Sequence, residues 1–206
     1  MKKQIVVFAN SVKHGKHCVA GKDISTKEWI RPVDDRNGAE LNDWQCTCVG
    51  QRFPVKPLQE VEIDIAEHSP LVNQPENYLI VGGQWNQRYK LELSRLPEYL
   101  DSPDSLWGEG DRVEFASIEN GMVPIKQSLY LVEVDDLKIY RNNYNKLRAR
   151  FSYNEISYDL AVTDLDFDEH LSEPRHQSVL CVSLGEKFKP WGSQGYFCYK
   201  IVAAII

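Results

Sequence analysis

The chain has 206 residues, 42% of them hydrophobic and 26% charged, and a formal net charge of -6. This is the composition of an ordinary globular protein with one large or two small domains, which excludes a disordered tail. The acidic balance also disfavours binding nucleic acid over the whole surface.

Five Cys do not make a disulfide scaffold, and the odd count leaves at least one thiol free. No apolar run approaches the ~18 residues of a membrane span. The run "IVVFA" after "MKK" is too short for a signal peptide. A cytoplasmic protein with reduced thiols and no membrane association is expected.

In chain order, period-two segments dominate and predict a mostly β protein. The first half offers strands at 4–11, 17–24, 28–33, 60–69, 77–82 and 89–94. The second offers 112–118, 128–134, 137–142, 146–152, 156–164, 178–184 and 195–206. One short helix is expected at "SRLPEYLDS", 94–102, with Pro97 tolerated only in its first turn. Turn signals separate the strands at "HGK", "RNG", "VGG", "WGEGD", "ENG" and "PWGSQG".

The segment Pro97 to Gly110 holds two Pro, two Gly and four acids and is the expected boundary. It divides the chain into 1–108 and 109–206. Each half has enough short strands for a small closed or partly open barrel, and a β-sandwich fits the same spacing. No internal repeat is evident.

Charge is unevenly spread. Residues 1–33 hold seven Lys or Arg against two acids, +5, so the remainder sums to -11. "KIYRNNYNKLRAR", 138–150, has five positive residues and no acid, and 154–174 has seven acids and no Lys or Arg. Such segregation marks either a binding face or alternating surface strands. In 137–142 and 146–152 the apolar residues alternate with Lys and Arg, so the cations share one face.

Metal and nucleophile readings are weak. In an extended "CTC" strand the sulfurs of Cys46 and Cys48 lie about 7 Å apart, too far for a relaxed zinc pair. His17 and Cys18 are adjacent and face opposite sides of a strand. Cys18, Cys181 and Cys198 read as small core residues. "DLDFDE", 164–169, has Glu169 where a calcium loop needs Gly and Arg175 where it needs Glu. No nucleophile elbow, phosphate loop or dinucleotide fingerprint is present. No metal and no cofactor are expected.

Single-stranded nucleic acid is held by cations that track phosphates and by rings that stack on bases. Lys13, His14, Lys16, Trp29 and Arg31 supply such groups in the first half, and Tyr144, Arg148 and Arg150 in the second. Trp29 and Arg31, two apart in a strand, share a face. Arg31 either holds a phosphate there or pairs with Asp34, Asp35 or an acid of the other half.

Three segments together resemble the bacterial dual OB-containing domain family. They are "SVKHGKHCVAGKDISTKEWIRPV" at 11–33, "YDLAVTD" at 158–164, and "LCVSLGEKF" with "GYFCYKIVAAII" closing the chain. The resemblance spans essentially all residues. It implies two OB-like barrels and, by association, a nucleic-acid role. The expected function is a non-catalytic binding module for nucleic acid, single-stranded or structured, through a basic-aromatic face. The alternatives are a protein-interaction adaptor, or an enzyme acting on a nucleotide or small ligand near Ser11, His14, His17 and Arg31.

Overall fold

The computed structural model describes residues 1–13, 15–163 and 175–206, and the side chains of Lys13, Arg175 and His176 lie outside the description. His14 and the "DLDFDE" string fall outside the described residues. The chain forms two units, one of Met1–Leu71 with Glu76–Tyr99 and one of Val72–Pro75 with Leu100–Ile206.

The first unit is a five-stranded barrel of β1 (Lys2–Lys13), β2 (Lys16–Asp23), β3 (Trp29–Val33), β4 (Gln59–His68) and β5 (Asn77–Ile80), with β6 (Asn86–Lys90) added beside β4. Antiparallel pairs link β1 to β2, β2 to β3, β4 to β5 and β1 to β4. A parallel pairing of Arg31–Val33 with Asn77–Leu79 closes the ring. Ile5, Val7, Val19, Ile30, Val61, Ile63 and Ile65 fill the interior.

Strand β1 bends at a bulge between Val7 and Ala9 and runs hard against β2. A Cβ on Gly21 would stand 2.4 Å from the Val6 carbonyl oxygen, so only glycine fits.

The connection from β3 to β4 closes the barrel floor, burying Leu41, Cys46, Cys48 and Val55 in the core. A buried polar chain fastens it. Asn10 donates Nδ2 to the Val55 carbonyl, so its Oδ1 faces His17 Nδ1 at 2.7 Å, and His17 Nε2 lies 3.2 Å from Asp43.

The second unit repeats the plan. Its strands are β7 (Arg112–Glu114), β8 (Leu129–Arg141), β9 (Leu147–Tyr153), β10 (Ile156–Val162), β11 (Arg175–Phe188) and β12 (Phe197–Ile205). The ring runs β8–β9–β10–β12–β11 and back to β8, with β10 and β12 parallel and β7 added beside β12. Numbered within each unit, both rings have the order 1-2-3-5-4, that of the OB barrel. The chain is therefore all-β, with two closed five-stranded barrels.

Two short helices stand among the described residues. A 3-10 helix spans Leu93–Tyr99, and α1 spans Phe115–Glu119. The segment 112–118, expected as one strand, leaves β7 after Glu114 and turns helical. Phe115 and Ile118 then fall on one side and both are buried.

Lys200 on β12 holds the segment ahead of β7. Its buried ammonium donates to the carbonyls of Gly108, Glu109 and Gly110 at 2.7, 2.9 and 3.0 Å. The Tyr158 hydroxyl accepts from Leu106 N–H and donates to the Gly108 carbonyl. Burial pulls Lys200 down to about 8, against the opposing charges of Asp111 and Glu109.

Two outcomes follow from these contacts. Gly21→Ala forces β1 and β2 apart, with an expected loss of about 3 kcal/mol in urea unfolding; an unchanged midpoint would exclude the tight crossing. For Lys200 the folded value lies below the unfolded one, so between about pH 8 and 10.5 the unfolded chain binds the extra proton. Unfolding free energy should rise with pH across that window, by up to about 3 kcal/mol more than in Lys200→Met. Paired urea titrations at both ends of the window measure the difference.

Candidate nucleic-acid interface

OB barrels bind oligonucleotides on the outer face of strands 2 and 3, between the loop joining strands 1 and 2 and the loop joining strands 4 and 5. The two barrels differ sharply here.

In the first barrel this face is covered. Every residue of β3 and nearly all of β2 are buried. Trp29 stands edge-on to Phe8 at 6.1 Å, and Phe8 packs against Tyr99 of the 3-10 helix at 5.3 Å. Lys22 donates to the Tyr99 carbonyl at 2.7 Å and lies 5.0 Å from the Trp29 ring. Lys27 sits over the Tyr99 ring at 3.7 Å. Trp29 and Arg31 do share the outer side of β3, but Arg31 is buried there with its Nε 3.4 Å from Glu76.

In the second barrel the same face is open. Ala149 and Phe151 of β9, Tyr158 and Leu160 of β10, and Leu137 and Ile139 of β8 point into the core. The intervening side chains therefore point outward: Lys138 and Tyr140, Arg148 and Arg150, and Asp159. Lys138 lies directly opposite Arg150, and Tyr140 opposite Arg148.

Asp159 gathers this group. Its carboxylate accepts from Tyr140 Oη at 2.5 Å, Arg148 Nε at 2.8 Å and Arg150 Nη2 at 3.2 Å. Arg148 Nη2 also donates to the Asp159 carbonyl. Burial alone would raise the Asp159 carboxyl, but these hydrogen bonds and the Arg148 charge hold it below the usual range. Three cations against the Asp159 carboxylate give this group a charge of about +2 at neutral pH, and Asp135, opposite Ser152, is a further carboxylate on the same outer side.

Two loops flank the face. In the β8–β9 hairpin, Asn142 Oδ1 accepts from the N–H groups of Tyr144 and Lys146, and Asn145 takes a left-handed φ of 57°. This three-residue loop holds Tyr144 outward, 83% exposed. In the β11–β12 loop, Ser193 N–H donates to the Pro190 carbonyl, and Gly192 has φ of 78°. The resulting type II turn puts Trp191 at its first central position with the indole wholly in solvent. Lys187 and Lys189 stand 4.7 and 5.6 Å from the nearby Tyr196 ring.

The sequence-derived residues thus divide. Tyr144, Arg148 and Arg150 lie together on or beside the open face. Lys16 is exposed at the start of β2. Trp29 and Arg31 are packed beneath covering residues. Ser11, His17 and Arg31 do not converge, because His17 faces inward with Asn10 and Val19 while Ser11 and Arg31 lie on the outer side.

Trp191, Lys187, Lys189 and Tyr196 were missed. The interleaving of rings and lysines in "KFKPWGSQGYFCYK" is the available signal, of which "PWGSQG" shows only the turn.

No group of three or more His, Cys, Asp or Glu among the described residues is placed to hold a metal ion. Among them too, no helix is long and apolar enough to cross a membrane. Burial pushes Cys46 up to about 12 and Cys48 and Cys198 to about 11.

The fold and its faces define a tandem OB-barrel protein. The chain belongs to the dual OB-containing domain family, whose sequence model matches residues 3–205. No curated protein matches it. Among solved structures it is similar to the p204 HINb domain at 9% identity and a TM-score of 0.40, covering 100% of this chain and 97% of that one. It is also similar to the Ifi202 HINa domain in complex with 20bp dsDNA, at 9% identity and a TM-score of 0.36, covering 99% and 91%. At these scores the likeness says nothing about what this chain binds.

Thiol titration of the native protein checks the buried cysteines. Only Cys18, which is partly exposed, should react readily with a disulfide reagent at pH 8, and the rest only after denaturant. Rapid reaction of two or more thiols would contradict the burial described.

Proposed function

We propose that the second barrel binds single-stranded nucleic acid, with the phosphates along Lys138, Arg148 and Arg150 and bases stacked on Tyr144 and Trp191. One observation carries this reading. The OB ligand face of this barrel is open and positive, and each flanking loop holds an exposed aromatic ring out into water. A free ring held by a defined turn offers a base-sized platform at little ordering cost.

The overall charge of -6 is compatible with this, because binding depends on the local field of the face. Lys13, His14, Lys16, Trp29 and Arg31 of the first barrel form no part of the proposed surface. The module has no catalytic role in this reading.

Contact with a protein is a second reading, favoured by Trp44, Val49 and Phe53, exposed on the β3–β4 connection of the first barrel. Partners retained after nuclease treatment, and lost in Phe53→Asp, would favour it.

Fluorescence anisotropy with a labelled oligothymidine tests the nucleic-acid reading. Trp191→Ala and Tyr144→Ala should each weaken binding about tenfold with the salt slope unchanged. Arg150→Ala should weaken binding and lower the slope of log K against log salt by about 0.7. Lys16→Ala should change neither. No binding to the wild-type protein at low salt would overturn the proposal.

A further inference from the structure

Asp159 lies at the centre of the group formed by Tyr140, Arg148, Arg150 and Lys138. Its two oxygens take three charge-assisted or phenolic hydrogen bonds at 2.5, 2.8 and 3.2 Å. Two guanidinium groups and a hydroxyl converging on two oxygens form the donor set that suits a phosphate. The site is also over-supplied with positive charge. Lys138 and Arg150 face each other directly across β8 and β9, an arrangement that disfavours pairing unless an anion lies beside it. Arg150 is 62% exposed on its side chain and Asp159 33%, so an incoming anion reaches both without unfolding the strands.

We infer that Asp159 is an internal occupant of a phosphate site, and that a phosphate group of the bound ligand displaces it from Arg150 and Tyr140. This deepens the reading of the open face as a nucleic-acid surface and rests on it for the identity of the ligand. The phosphate chemistry itself does not depend on that identity. Arg148 keeps its bond to the Asp159 carbonyl throughout, so it stays in place while Arg150 swings to the ligand. The carboxylate then sets a threshold. A single phosphate competes poorly against a tethered carboxylate, whereas a chain of phosphates with neighbouring contacts displaces it.

The test uses Asp159→Asn, nearly isosteric, with Asp159→Ser as a second variant should the amide distort the hairpin. Circular dichroism and thermal melting establish that each is folded. Two probes are titrated, labelled oligothymidine and inorganic tripolyphosphate. Both variants should bind both probes about tenfold more tightly than wild type, with an oligonucleotide salt slope steeper by about 0.7. Adding Arg150→Ala to Asp159→Asn should abolish the gain.

If the folded variants bind tripolyphosphate no better than wild type, or less well, Asp159 positions the arginines and the inference is overturned. If tripolyphosphate binding rises while neither protein takes the oligonucleotide, the phosphate site stands and the nucleic-acid reading falls.

Discussion

Each barrel is closed by a parallel pairing only two or three residues long. Arg31–Val33 lies beside Asn77–Leu79 in the first, and Ala161–Val162 beside Ile201–Val202 in the second. These short contacts turn an open sheet into a ring, so that no edge is left between strands 3 and 5. Closure fixes which side chains point inward and thereby exposes one curved outer face on strands 1 to 3. What the chain lays over that face decides what each barrel can do. In the first barrel Tyr99 and its neighbours cover it, and the lysine and aromatics beneath serve packing. In the second it is left to solvent with three cations, a bridging aspartate and Asp135 beside them.

The electrostatics of the open face differ from those of an ordinary surface ion pair. Exposed pairs contribute little to stability, about 0–1 kcal/mol. Two arginines and a tyrosine sharing one aspartate instead gain their significance from geometry. The Arg148 guanidinium is held in place at both the carboxylate and the carbonyl of Asp159, and positive charge is left over. Lys200 illustrates the opposite use of a cation in the same barrel. It is buried and spends all three donors on backbone carbonyls, which leaves it a structural clamp.

Much of the architecture was legible in the sequence. The alternation of apolar residues with Lys and Arg in 137–142 and 146–152 gave both the strands and the face that carries their charge. Trp29 and Arg31 were read as sharing a face, and they do. Their burial was not legible, because Trp29 packs on Phe8, which meets Tyr99 some seventy residues away, and Arg31 meets Glu76; period-two patterns say nothing about distant partners. The equal strand order of the two barrels was likewise hidden. It resides in backbone pairing, which sequences without a repeat can share. Gly21 looked like any strand glycine, although the close crossing with Val6 demands it. In the Trp191 loop Pro, Gly and Ser signal only a turn, whereas the turn is what holds the ring outward.

The central claim is that one barrel face is covered and the other open to a single strand. Backbone amide chemical-shift mapping with unlabelled oligothymidine tests this most directly. The account predicts perturbations at 138–150, 157–161 and 187–196, and none along Lys16–Asp23 or Trp29–Val33. Perturbations concentrated on β2 and β3 of the first barrel, with the second barrel silent, would contradict it.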